Sequence, residues 1–440
     1  MFDTLPAARR RFALVALALG AFGIGIAEFV TSGLLPNIAR DLDGATYAVD
    51  PASAIASAGL LVSAYALGVV VGAPAIAAAT AHWPQKRVLL LMLAVFVVAN
   101  FAVALLPSFH LVLAARFLSG LPHGAFLGTA GLLAASLMGP GKRGRGVAFI
   151  AAGLTLATIV GVPLGSIVGG LLGWRAIFVI IAGIFALALV AVLAAIPSRA
   201  GNPEAGIRSE LRAFLLPQVW LTVGMGAIGF GGMFAVFTYI APIASNVTGI
   251  GDGMLPWVLV VFGLGMTGGS VAAGRVSDLS VAAALLVFLG GMALSLAGFV
   301  LFAATLAGLL VFTFLLGIFA GGSSVAIQTR LMDVAAPSRA VGAALTHSAL
   351  NLGNALGAYL GGLVIAAGFG YLSPAVIGAA LSLIGVGIVV VALLLGRRAG
   401  GDRSTGGTGT SHAGVSASTA ACHHFGAVGD AALNVLRHPI

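Results

Sequence analysis

The sequence predicts an all-α integral membrane protein with twelve transmembrane helices in two six-helix pseudo-repeats. Three observations lead to this fold class: the composition, the spacing of the apolar stretches and an internal repeat. Apolar residues make up 60% of the 440 residues and charged residues only 8%, and the mean hydropathy is +1.14. A soluble domain carries about a quarter charged residues, so a chain of soluble domains is excluded. The single cysteine, Cys422, excludes a disulfide scaffold.

Twelve stretches of the chain are long and apolar enough to cross a bilayer, which takes roughly 20 residues. Very short connections, such as 107–109 and 173–175, require neighbouring helices to be antiparallel. In chain order, the predicted spans one to twelve lie near 12–35, 53–77, 88–106, 110–137, 147–172, 176–196, 217–244, 255–276, 281–304, 307–331, 341–368 and 372–395.

The basic residues predict the orientation of the spans. If the N-terminus is cytoplasmic, every Lys and Arg falls on an inner segment except Arg40, Arg175 and the intramembrane Arg116. Positive charge accumulates on cytoplasmic segments, so both termini are expected to face the cytoplasm. The expected location is a bacterial-type inner (cytoplasmic) membrane. The net charge of +9 is scattered between apolar runs and forms no continuous basic patch, so no nucleic-acid partner is expected.

The chain divides into two halves of six spans. Residues 1–196 form the predicted N-terminal half, 197–216 a cytoplasmic linker, 217–396 the C-terminal half and 397–440 a disordered cytoplasmic tail rich in Gly, Ser and Thr. A repeat at an offset of about 196 supports the division. In span two, Gly68 and Gly72 match Gly265 and Gly269 of span eight within one residue. Such repeats are typical of transporters.

Glu28 is the acidic residue that the sequence places well inside a span. An acid at that depth costs on the order of 2.5–3.5 kcal/mol to insert, so intramembrane acids generally have a function. A carboxyl between a low-dielectric environment and a nearby cation can change protonation as a cavity opens and closes. Glu28 is therefore a candidate proton-coupling residue, and the alternative is a carboxylate fixed in a structural hydrogen-bond network.

Span four offers partners for this acid. Arg116 and His123 lie seven residues apart and share one helix face, and the helical rise puts both near the depth of Glu28. We therefore predict that Arg116 and His123 take part in proton coupling. Two alternatives stay open: Arg116 could be an anchor at the outer interface, and His123 could be a core histidine.

A second polar face predicts contacts with substrate. His347, Asn351 and Asn354 follow helical spacing in span eleven, and Gln328 lies in span ten. These uncharged groups suit a polar solute, although bonds between helices are an equally common use. The aromatic stripe Phe230, Phe234 and Phe237 in span seven is instead expected to face lipid or a packed core.

The sequence gives no sign of an enzyme. It has no paired carboxylates, no histidine pair at metal spacing and no phosphate-binding loop that ends in Lys-Ser or Lys-Thr. We therefore expect no catalytic residues, no metal and no cofactor, with a proton gradient as the energy source.

Six short stretches of the chain carry a family resemblance: Gly25-Ile-Ala-Glu28-Phe29, Gly33-Leu-Leu-Pro36, Ser63-Ala-Tyr65-Ala-Leu-Gly68, Gly72-Ala-Pro74, Arg116-Phe-Leu-Ser-Gly120-Leu-Pro-His123-Gly124 and Gly173-Trp174-Arg175. With these stretches, residues 10–396 resemble the major facilitator superfamily, in the proton-antiporter branch with arabinose-efflux, purine-nucleoside-efflux and chloramphenicol-resistance permeases.

The resemblance implies roles for further residues. Arg116 takes the position of the span-four arginine that the family uses in proton coupling. Gly161, Pro163 and Gly165 take a loose form of the span-five exporter motif. The loop after span two lacks the aspartate of the family's gating motif, whereas its counterpart after span eight keeps Arg275 and Asp278.

These observations lead to one main functional hypothesis. The chain is expected to be a monomeric secondary transporter that exports a small organic solute (a drug, sugar or nucleoside) in exchange for protons by alternating access. Its expected partners are that solute, protons and the lipid bilayer. The alternatives are a proton-independent facilitator of sugars or nucleosides, and a receptor or scaffold that transports nothing.

Overall fold

The structure is a computed structural model that describes residues 6–80, 82–139, 141–197, 216–335 and 339–405. Within these residues, 12 helices are long and apolar enough to cross a membrane, and no strand is present. This confirms the predicted all-α fold. Spans one to twelve are Ala7–Gly33, Pro51–Thr80, Gln85–Leu105, Phe109–Met138, Arg143–Leu172, Trp174–Ala195, Pro217–Phe237, Leu255–Leu279, Val281–Phe302, Leu306–Val334, Leu345–Ala366 and Ser373–Gly396.

Three spans depart from a regular α-helix. Span four consists of Phe109–Gly120 and His123–Met138, separated at Pro122, because proline cannot donate a helical hydrogen bond. Spans five and seven each contain one wider π-helical turn, Ala157–Gly161 and Met225–Gly229. Such turns often occur at functional sites. All three departures lie along spans that surround the central cavity described below.

The connections add short helices and extend one span. Leu35–Leu42 and Gly44–Val49 join spans one and two, and Ile240–Asn246 follows a break after span seven. The last helix is Ser373–Thr405, so it continues past the predicted start of the tail at 397. Most of the predicted linker (198–215) and the rest of the tail (406–440) lie outside the described residues.

The same pairs of spans pack together in the first six and in the last six. Span one packs on spans five and six, span two on span four, and span three on span six. Correspondingly, span seven packs on eleven and twelve, span eight on ten, and span nine on twelve. The two sets meet where span two packs on eleven and span five on eight. The contact pattern therefore reproduces the pseudo-repeat seen in the sequence.

The glycines that the repeat matches hold helices at backbone contact. A Cβ atom at Gly68 would overlap the Phe117 carbonyl of span four, and one at Gly72 would overlap the Leu121 carbonyl. In the second set, Gly265 and Gly269 meet the Phe314 and Ile318 carbonyls of span ten in the same way. Small residues permit such close approach of membrane helices. Spans two and four, and likewise spans eight and ten, are therefore held together by the same kind of glycine-to-backbone contact.

Candidate functional site

A cavity lies between the two sets of six spans and receives side chains from both. The space between its walls is about 760 Å³, including the open mouth. The polar part of its lining consists of one carboxyl, two imidazoles, one amide and five hydroxyls, from Glu28, His123, His347, Asn351, Thr155, Thr158, Thr267, Ser270 and Ser324. The apolar part consists of seven side chains: Phe29, Leu127, Leu154, Phe230, Phe234, Met266 and Leu350. A mostly apolar pocket with a few polar groups is the usual form of a small-molecule site.

Glu28 is the only carboxyl-bearing residue among those that line this cavity. It belongs to span one and is half-buried. The charged group that acts on it electrostatically is Arg116, and the amide of Asn354 lies beside it. The acid that the sequence identified as unusual therefore faces the space between the two sets of spans, in reach of span four and span eleven.

Arg116 is buried, with 1% of its surface exposed, which excludes the alternative of an anchor at the outer interface. Its Nη1 donates to the carbonyl of Ala27 (2.9 Å), and its Nε donates to the carbonyl of Leu61 (3.3 Å). The guanidinium lies 4.4 Å from the centre of the Tyr65 ring, a favourable cation–π geometry. Arg116 thus joins span four to spans one and two, and in the described part of the chain it forms no ion pair with Glu28.

A chain of rings continues from Arg116 across to the second set of spans. The Tyr65 hydroxyl and Nδ1 of His123 are hydrogen-bonded at 3.0 Å. The ring centres of His123 and His347 are 5.8 Å apart. His123 begins the second helix of span four, where the break at Pro122 directs it into the cavity. The sequence analysis gave Tyr65 no role beyond the resemblance, because a tyrosine in a span carries no signal of its partner.

The structure separates the four residues predicted to contact substrate. His347 and Asn351 line the cavity, and the Asn351 side chain also donates to the carbonyl of His347 (3.1 Å). Asn354 is fully buried and adjacent to Glu28, and it is not among the residues that line the cavity. Gln328 is half-buried in span ten, but Ser324, one turn earlier, is the residue of that span that reaches the cavity.

The aromatic stripe of span seven is buried in the packed core, one of the two expected positions, and part of it also lines the cavity. Phe230 and Phe234 line the cavity. The Phe29 ring stacks on Phe234 at 6.0 Å, and its edge contact with Phe237 is 5.5 Å. Phe237 in turn packs on Phe262 of span eight at 4.3 Å. A π-helical turn precedes this stripe, so an ideal helical wheel does not give the direction of its side chains.

Five hydroxyl side chains of the lining were missed by the sequence analysis. Thr158 lies in the π-helical turn of span five and Thr155 shortly before it, and Thr267 and Ser270 lie on span eight. Thr267 and Ser270 donate to carbonyls of their own helix, those of Gly263 and Met266. Hydroxyls are common in membrane helices, so their type alone does not distinguish a cavity from a helix contact.

The motif residues implied by the resemblance form a packed group in span five and an exposed group in span eight. A Cβ atom at Gly161 would approach Ile26 to 2.6 Å, and one at Gly165 would approach Val30 to 2.8 Å, so these glycines seat span five on span one. Pro163 is buried between them. Arg275 and Asp278 are exposed near the end of span eight, and no ion pair joins them in the described residues.

No described residues form a cluster of three or more His, Cys, Asp or Glu that could hold a metal. The polar chain from Glu28 and Arg116 through Tyr65 and His123 to His347 is the chemically distinctive part of the site.

Comparisons with known proteins identify a family and related transporters. The chain matches the family model described as Major Facilitator Superfamily over residues 17–305 and 223–438. It is 34% identical over 368 residues to the inner membrane transport protein YdhP of Escherichia coli (strain K12), which covers 84% of this chain and 92% of that protein. It is 35% identical over 371 residues to a chloramphenicol resistance protein of Streptomyces lividans, with 82% and 91% covered.

A solved structure shares the fold. It is the crystal structure of a bacterial homologue of the human lysosomal transporter Spinster, in an inward-facing and unoccupied conformation. The TM-score is 0.62 and the sequence identity 18%, and the match covers 88% of this chain and 96% of that one.

Proposed function

Because this chain belongs to the Major Facilitator Superfamily and is a multi-pass membrane transporter, we propose that it exports a small organic solute in exchange for protons. The observation that carries the proposal is the position of Glu28. This carboxyl lies in a cavity between the two sets of six spans, within electrostatic reach of a buried arginine.

The location of the cavity supports alternating access. Span one contributes Glu28 and Phe29, whereas span seven contributes Phe230 and Phe234 from the other set. Rocking of one set against the other around this site would expose the same residues first to one side and then to the other. The contacts between the sets would change, while the closely packed pairs within each set would move as units.

Glu28 is the proposed proton carrier. A carboxyl that is shielded in one state and hydrated in another binds its proton differently in the two states. Arg116 is held by the carbonyls of Ala27 and Leu61, so its charge stays next to the acid without pairing with it. Tyr65 and His123 connect this group to the cavity wall at His347. Proton release can thereby be linked to the rearrangement of the cavity.

The proposed substrate is a small organic solute, with drugs, sugars and nucleosides as the classes to be screened. The likeness to a chloramphenicol resistance protein supports such a solute and export as the direction. The likeness to a protein named an inner membrane transport protein supports that membrane as the location. We further propose that both termini are cytoplasmic, that the chain works as a monomer and that the proton gradient replaces any cofactor.

The decisive experiment measures proton movement during transport. Purified protein in proteoliposomes with an internal pH dye is given candidate solutes, and proton flux is recorded on solute addition. Glu28→Gln should abolish solute-dependent proton flux while leaving expression and folding unchanged. Asp333→Asn, which changes an exposed acid at the inner end of span ten, serves as the matched control and should retain it.

Other outcomes identify the alternatives. Solute exchange that persists in Glu28→Gln with unchanged proton flux removes Glu28 from the mechanism. Net transport that survives collapse of both the pH gradient and the membrane potential indicates a facilitator. Failure of solute counterflow with every solute class indicates a receptor or scaffold.

A further inference from the structure

Tyr239 lies just outward of the cavity, at the break that follows span seven. The helix ends at Phe237, and a new short helix begins at Ile240. Despite this position at a break, the Tyr239 side chain is fully buried. Its hydroxyl donates to the carbonyl of Ala358 in span eleven at 2.8 Å. Span seven and span eleven belong to the same set, so this hydrogen bond fixes the ring within its own half of the molecule.

Glycines from both sets form a socket for this ring. A Cβ atom at Gly59 of span two would overlap the Tyr239 hydroxyl and lie 2.8 Å from Cζ. A Cβ atom at Gly362 would also overlap the hydroxyl, and one at Gly361 would lie 2.9 Å from Cε2. We call Gly59, Gly361 and Gly362 the tyrosine socket. Gly59 is its only member from the first six spans.

The tyrosine socket lies beyond the aromatic part of the cavity lining. Spans one and seven run in the same direction, and the lining residue Phe29 contacts the lining residue Phe234 and also Phe237, which ends span seven. Tyr239 follows two residues later. At this level spans two and eleven also approach closely, because a Cβ atom at Gly362 would lie 3.1 Å from the carbonyl of Ala56. The seated tyrosine therefore covers the aromatic layer that ends the cavity.

We propose that Tyr239 is an outer latch, and that the cavity opens on this side only when the ring leaves Gly59. The inference rests on the alternating access proposed above. Separation of the two sets would break the contact with Gly59 but keep the hydrogen bond to Ala358, because both of its partners move together. Release of the ring from Gly59 thus costs van der Waals contact and leaves the hydrogen bond of Tyr239 intact, which suits a contact that must form and break in every cycle. The nearby hydrogen bond from Ser63 of span two to the Ala355 carbonyl of span eleven joins the two sets and would have to break as well.

Access to the cavity from outside tests the latch directly. A reporter cysteine replaces Thr155 of the cavity lining, in a Cys422→Ser background, and intact cells are treated with a membrane-impermeant maleimide. Gly59→Ala fills the socket, so the closed state is overpacked and the labelling rate should rise about tenfold. The matched control is Gly183→Ala in span six, where a Cβ atom meets nothing within 4 Å. Its labelling rate should equal that of the parent.

A second substitution tests whether Tyr239 itself is responsible. Tyr239→Phe removes the atom that a methyl group at position 59 would overlap most. The double variant G59A/Y239F should therefore label more slowly than Gly59→Ala and approach the rate of Tyr239→Phe alone. Equal labelling of Gly59→Ala and Gly183→Ala overturns the latch, as does a double variant whose effects simply add.

Two further arms remove ambiguity. If Gly59→Ala fails to fold, Tyr239→Ala must raise outside labelling by emptying the socket, and an unchanged rate overturns the proposal. In everted vesicles, Gly59→Ala should not raise the labelling rate, and a rise from that face alone also overturns it. None of these measurements needs a solute or a proton gradient. A transporter without proton coupling would therefore leave the latch intact, and a failed latch would leave proton coupling untouched.

Discussion

Gly72 of span two lies against the backbone of span four. A Cβ atom there would overlap the carbonyl oxygen of Leu121 and would lie 2.5 Å from its Cα and 2.6 Å from its carbonyl carbon. These atoms belong to the chain at the break in span four, so no side-chain rotation can relieve the overlap. Gly72→Ala must therefore push the two spans apart.

The size of the effect follows from two opposing contributions. Overpacking of a close contact costs about 1–3 kcal/mol, and we expect the upper end because backbone atoms form the obstacle. Replacing a helical glycine by alanine gains about 0.5–1 kcal/mol. The net loss in the free energy of unfolding is then about 2 kcal/mol. Gly128→Ala in span four is the matched control, because it is exposed and a Cβ atom there meets nothing within 4 Å.

The free energy of unfolding can be compared by titration of the purified variants with a denaturing detergent. Gly72→Ala should unfold at a clearly lower fraction of denaturing detergent than the parent, and Gly128→Ala at an equal or higher one. The gap of about 3 kcal/mol between the two variants corresponds to a difference of about 100-fold in the unfolding equilibrium. Equal stability of the two variants would refute the argument, because both sites are helical glycines and only Gly72 lies against a neighbouring backbone.

Three further substitutions have expected outcomes. Tyr65→Phe leaves a buried nitrogen of His123 without its partner, which costs about 1–3 kcal/mol; the unfolding temperature in detergent should fall accordingly. Arg116→Lys should fold but transport poorly, since one ammonium cannot reproduce the two-carbonyl bonding of the guanidinium; near-parental transport rates in proteoliposomes would contradict this. Asp41→Asn weakens a 3.0 Å ion pair with Arg175 whose side chains are 46% and 33% exposed, so it should cost at most about 1 kcal/mol. That loss should vanish in high salt, and a larger loss that is independent of salt would contradict it.

Sequence patterns were informative where burial is costly. An acid within an apolar run is rare enough to single out Glu28, and helical spacing placed Arg116 and His123 on one face of span four. The structure brings all three to the same region, through the Ala27 carbonyl and the shared cavity. Spacing also indicated His347 and Asn351, but it included Gln328, which lies one turn beyond the lining residue Ser324 and is not part of the lining. Helical spacing gives the face of a residue and not how far a cavity extends along that face.

Other parts of the site could not be found in this way. Tyr65, Phe230 and Phe234 are ordinary residues of apolar spans, and their role depends on what stands opposite them. The π-helical turn of span seven changes the direction of the following side chains. The glycines were visible as a pattern, but only the neighbouring atoms distinguish a socket such as Gly59 from an open surface such as Gly128.

The sequence by itself determined that the chain spans a membrane twelve times, that its halves repeat and that one acid is submerged. These properties follow from local composition, because the bilayer interior excludes charge and requires every backbone group to be paired within its own helix. Only the tertiary structure decided which spans meet, where the cavity opens and which glycines pack against Tyr239. Those features depend on contacts between residues hundreds of positions apart, as between Ser63 and Ala355, for which a single sequence holds no local signal.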